Sequence, residues 1–75
     1  MNWDNIKNKL IHEKEYLVCL DIKNETYSLQ NYFKYSDGDT IFEKEGFYYF
    51  DVNEEVFKYS RRQPKFWMAI TNPTI

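Results

Sequence analysis

The chain is poor in the residues that carry recognisable chemistry. Its 75 residues include one cysteine, Cys19, and one histidine, His12. A single cysteine excludes an internal disulfide, and with no signal-like stretch at the start it points to a reducing, intracellular setting. One cysteine and one histidine are too few soft ligands for a structural zinc set. The two glycines, Gly38 and Gly46, sit in separate segments, so no phosphate-cradling glycine loop exists. With only two prolines as well, the chain is neither a linker nor low-complexity sequence. Its longest apolar runs, such as Tyr16 to Leu20, are far shorter than the ~20 residues that cross a bilayer. No internal repeat is apparent.

Catalytic constellations are missing too. Ser28, Ser36 and Ser60 have no nucleophile's surroundings. The stretch "DGDT" starts like a calcium loop but lacks the spaced oxygens and the closing glutamate. His12 beside Glu13 and Glu15 is the one acid–base candidate, and it reads as a solvated residue at a helix end. No catalytic residue, metal or cofactor is assigned, and the expectation is a protein that is not an enzyme.

What the chain does have is rings. Aromatic residues make up 20%, and eight of them fall in the stretch Phe47 to Trp67, "FYYFDVNEEVFKYSRRQPKFW". A chain this short buries only roughly 60% of its extended surface on folding, so most rings must go inside for it to fold alone. Seventy-five residues suit one domain, 1–75.

Periodicity supplies the elements. In "NWDNIKNKLIHEK", Trp3, Ile6, Leu10 and Ile11 recur at helical spacing, with Asn2 as N-cap and Asp4 complementing the dipole. "YLVCLDI" is apolar on both faces and suits a central strand. "TYSLQNYFKY" alternates and is read as a strand, with a short helix begun at Ser28 as the alternative. "TIFEKE", "FYYFDV", "VFKYS" and "KFWMAI" complete the set, with turns at "KNE", "SDGD", Glu45-Gly46 and "NEE". Short connections imply a meander. The predicted class is α+β, an N-terminal helix packed on an antiparallel meander sheet of about five strands. A small β-barrel plugged by the helix is the alternative. "TNPTI" reads as a tail in which Ile75 could dock.

Charge is unevenly spread although the net value is −2. Residues 36–55 hold seven acids against Lys44, and residues 56–75 hold Lys58, Arg61, Arg62 and Lys65 with no acid. On a strand, Asp39, Ile41, Glu43 and Glu45 would share a face, with carboxylates repeating at about 6.8 Å, close to the phosphate spacing of a nucleic-acid strand. Such a ladder would fit the basic cleft of a nucleic-acid-binding enzyme; the plain alternative is a solvated edge strand. The stretch "KYSRRQPKFW" interleaves cations with rings, as single-strand binders do, although an acidic protein makes a poor nucleic-acid domain. There the plain alternative is that the arginines neutralise the acidic hairpin.

These patterns point first to a protein that binds and inhibits or regulates another protein. The expected contact residues are Asp39, Glu43, Glu45, Tyr48, Tyr49, Glu54, Glu55 and Trp67. Residue usage rich in Asn, Lys, Ile, Tyr and Phe matches AT-rich codons, which suits a phage-encoded inhibitor of a host defence or nucleic-acid enzyme in the host cytoplasm. An immunity protein or antitoxin fits the same physics. A nucleic-acid-binding module using Lys58, Arg61, Arg62 and Lys65 is the alternative from another class, and a self-associating structural subunit is a third. No membrane role is expected.

Overall fold

The computed structural model describes residues 3–70. They form one six-stranded sheet: β1 (Glu15–Asp21), β2 (Thr26–Phe33), β3 (Thr40–Ile41), β4 (Gly46–Asp51), β5 (Val56–Tyr59) and β6 (Phe66–Ala69). The spatial order is β3-β5-β4-β2-β1-β6. All neighbours are antiparallel except β3 and β5, which run parallel.

The predicted N-terminal helix is absent, so neither a helix packed on a meander sheet nor a helix-plugged barrel describes the molecule. Lys7–Lys9 make one 3-10 turn, and no other helix occurs among the described residues. The reasons are local and tertiary. Asn5 and Asn8 are weak helix formers, and Asp4 Oδ1 accepts the Ile6 N–H at 3.0 Å, a local bond that competes with helix. The open edge of β6 then offers ladder partners, since Asp4 N–H donates to Trp67 O and Trp67 N–H donates to Asp4 O. With that choice made, Ile6 and Ile11 are exposed and Leu10 alone of the three enters the core. The N-cap expected at Asn2 and the tail at 71–75, with Ile75, lie outside the described residues.

Nor is the sheet a meander. "SDGD" does turn, with Gly38 at φ +58°, but it does not pair β2 with β3. Residues 34–39 instead cross to the far edge of the sheet, where Thr40 and Ile41 lie beside Phe57 and Lys58. The chain then returns to start β4 between β2 and β5.

Strand alternation sorts the side chains. On one face, Tyr16, Val18, Tyr32, Phe47 and Trp67 form the core together with Leu10. That face is closed by the N-terminal segment and by residues 60–64. Gln63 acts there as a substitute strand: its Oε1 accepts the Phe47 N–H at 2.8 Å, and its Nε2 donates to Phe47 O at 3.0 Å. The approach requires Gly46, since a Cβ there would sit 2.8 Å from Gln63 Oε1. The other face carries a second ring cluster. Phe33 packs edge-on to Tyr48, Phe42 stacks on Tyr48, and Phe57 bridges Phe33 and Phe50.

A repeat also emerges that the letters alone did not show. The turns of the β1–β2 and β4–β5 hairpins share one design, Asp21-Ile22-Lys23-Asn24-Glu25 and Asp51-Val52-Asn53-Glu54-Glu55. In each, the Asp Oδ1 accepts the backbone N–H groups two and three residues on, at 2.9–3.3 Å. Each closes on a glutamate in the left-handed region, Glu25 at φ 51° and Glu55 at φ 57°.

Candidate protein-binding face

The second face of the sheet is incompletely covered. Register places Met68 beside Leu17 and Leu17 beside Leu29, while Phe50 pairs with Phe57. The β2–β4 ladder has three pairs, Asn31↔Tyr48, Tyr32↔Phe47 and Phe33↔Gly46. Leu29 and Phe50 lie one alternation beyond its end, on the same face. The result is an apolar row from Met68 across to Phe57, in which Leu29 is 56% and Phe50 46% exposed. Tyr27, in the next row, is half exposed and carries the ring of Trp3 stacked at 5.6 Å.

At the other end, the row reaches a cavity of about 380 Å³. Phe33 and Phe57 line it with Asn31, and its charged groups are the carboxylates of Glu13, Asp37 and Asp39. His12 is the peg that sets this rim. Its ring stacks on Tyr35 with centroids 3.7 Å apart and meets the Phe33 edge at 5.5 Å. Its Nδ1 accepts the Lys34 N–H at 3.0 Å, which holds the start of the crossover.

His12, Glu13 and Asp37 place three ligand-type atoms within 4.8 Å of one another. The tautomer argues against a metal there. Because Nδ1 accepts a backbone N–H, the neutral ring carries its proton on Nε2, which lies 3.4 Å from Asp37 Oδ2 without making a hydrogen bond to it. A protonated Nε2 has no lone pair for a cation. The same ring, half-buried and pinned, is no solvated helix cap.

The expected contact residues are scattered. Tyr48 and Trp67 are core rings, 0% and 2% exposed. Tyr48 also holds the 43–45 loop: its hydroxyl accepts the Glu43 and Lys44 N–H groups and donates to Lys44 O. The carboxylate ladder does not form, because β3 ends at Ile41. Glu43 pairs with Arg61 at 3.2 Å, and Glu45 accepts the Tyr32 hydroxyl. Burial, and then that bond to Glu45, push the Tyr32 phenol well above its ordinary range. Glu54 pairs with Lys58, Glu55 closes a hairpin tip, and Tyr49 is 41% exposed on the opposite face. Of the eight, only Asp39 borders the cavity.

The basic stretch is largely neutralised within the fold. Lys58 meets Asp51 at 3.2 Å as well as Glu54, and Arg62 meets Asp21 at 3.5 Å. Bonds to Glu54 and then to Asp51 raise the Lys58 pKa. Of the rings interleaved with these cations, Tyr59 packs on Tyr48 and Trp67 on Phe47, while partly buried Phe66 lines a surface pocket together with Arg62 and Lys65. Lys65 is exposed and has no ion pair among the described residues.

Leu29, Phe50, Glu13 and Asp37 were not among the expected contact residues. Alternation in "TYSLQNYF" does put Tyr27, Leu29 and Phe33 on one face, but which face lacks a cover depends on where the N-terminal segment lies. Comparison with family models, curated proteins and solved structures finds no match to the chain. Among the described residues, no helix is long and apolar enough to cross a membrane.

Proposed function

We propose that this chain is a small non-enzymatic domain that binds and regulates another protein through the open face of its sheet. The observation that carries this is the apolar row Met68–Leu17–Leu29 continued by Phe50 and Phe57, with its middle members about half exposed. Contiguous apolar surface of this kind on a small protein commonly marks an interaction site. The acids beside it suit a basic target, in keeping with an inhibitor of a nucleic-acid enzyme acting in the cytoplasm. Residue usage favours a phage source.

The test compares three baits in host lysate treated with nuclease: wild type, a Leu29→Ser/Phe50→Ser variant, and an Ile22→Ser/Val52→Ser control that alters only the hairpin tips. Proteins retained by wild type and control should be lost by the first variant, whose melting temperature should stay near wild type. Identical capture by all three baits would remove the open face as the binding surface.

A further inference from the structure

Resting on that reading of the open face, we infer that the partner segment presents a large apolar side chain next to an arginine or lysine. The apolar group lies along Leu29 and Phe50, and the cation enters the cavity at Phe33 and Phe57.

Charge and burial together lead there. Any partner seated on the apolar row also covers the adjoining cavity, because Phe57 belongs to both. The cavity's charged groups are three carboxylates and no base. Among the described residues, none of the three has a lysine or arginine within ion-pair distance; His12 alone approaches, at 3.4 Å from Asp37 and 4.0 Å from Glu13. The nearby Lys14 ammonium lies 5.8 Å from the centre of the Tyr16 ring, whose side chain belongs to the closed face. Covering ionised carboxylates without a countercharge is strongly unfavourable, so a neutral or acidic segment is rejected here.

A cation reverses the balance. An arginine side chain is also suited to the floor, where the partly exposed Phe57 ring rests against buried Phe33 with centroids 5.0 Å apart, since a guanidinium stacks on an aromatic face while its N–H groups reach carboxylates. The volume of about 380 Å³ is in the range of small ligand sites and admits one such side chain.

The experiment selects a displayed random 12-residue peptide library against three folded proteins: wild type, Glu13→Gln/Asp37→Asn/Asp39→Asn, and Leu29→Ser/Phe50→Ser. Wild-type selection should enrich Arg or Lys close to Leu, Ile, Phe or Met. Those peptides should bind each variant about tenfold or more weakly, and the wild-type complex should weaken with salt. Enriched peptides that lack a basic residue yet need Leu29 and Phe50 overturn the cation while leaving the face standing. Failure to enrich anything overturns both. A homodimer that dissociates on Leu29→Ser/Phe50→Ser, seen by sedimentation, also overturns the proposal, because the face would then be closed by a second copy.

Discussion

The two hairpins end in the same turn and live in different surroundings. Both tips use an aspartate to satisfy two backbone N–H groups and a left-handed glutamate to close. Both expose a β-branched residue, Ile22 at 60% and Val52 at 74%. Beneath the tips they diverge. The β1 arm lies inside the sheet between β2 and β6 and buries Tyr16, Val18 and Cys19. The β5 arm has no fully buried residue and is flanked on its outer side by the two-residue β3 alone. A turn design thus sets where a chain reverses, while stability depends on what the arms cover.

The same substitution in each arm should show the largest difference. Val18→Ala, at a fully buried site, is expected to cost about 2–3 kcal/mol, and Val56→Ala about 1 kcal/mol or less, both read by urea denaturation. Equal costs would mean that the second hairpin carries as much of the core as the first.

The tips should respond alike. Asp21→Ala and Asp51→Ala each remove acceptors for two backbone donors and should lower the urea midpoint by similar amounts. Hydrogen bonds, led by the Asn24 side chain for Asp21 and the Glu54 N–H for Asp51, lower both carboxyl pKa values from 3.8. A depressed folded pKa means the unfolded chain binds the proton more readily. The contribution is therefore complete well above pH 3.8 and is lost as pH falls below it. Melting curves from pH 6 down to pH 2 should fall less steeply for an Asp21→Asn/Asp51→Asn protein, whose amides cannot titrate. An undiminished slope would place the acid sensitivity elsewhere.

The smallest effect sharpens the comparison at the closing residue. Left-handed backbone is unfavourable for a residue with a Cβ and free of that strain for glycine. Glu25→Gly and Glu55→Gly should each gain about 0.5 kcal/mol. A loss at Glu55 alone would show that its side chain has a contact beyond the turn.

Much of the sheet was legible in the letters. Five strand segments and the turns at "KNE" and "NEE" are where alternation and turn residues put them, while "TIFEKE" contributes only Thr40 and Ile41. Pattern reports local geometry, and the β1–β2 and β4–β5 hairpins pair strands adjacent in sequence. The N-terminal segment misled because its apolar spacing is helical, whereas its outcome was decided by a remote edge: Trp67 offers Asp4 two backbone bonds. The crossover misled for a related reason. "SDGD" turns as its glycine requires, but a turn does not say which strand comes next to it. The candidate face inherits both difficulties. Leu29 and Phe50 are exposed because no helix covers them, and Asp37 and Asp39 border a cavity because the crossover runs past Phe33. The repeated tip was hidden because only its aspartate and final glutamate are identical.

The long reach of residues 34–39 imposes an order of assembly during synthesis. Thr40 and Ile41 find their ladder partners in Phe57 and Lys58, which leave the ribosome later. Until the β4–β5 arm has emerged, the 34–41 stretch has nowhere to dock, and the acidic pocket mouth is unformed. A nascent chain of this protein would therefore have its first hairpin in hand before the pocket mouth exists.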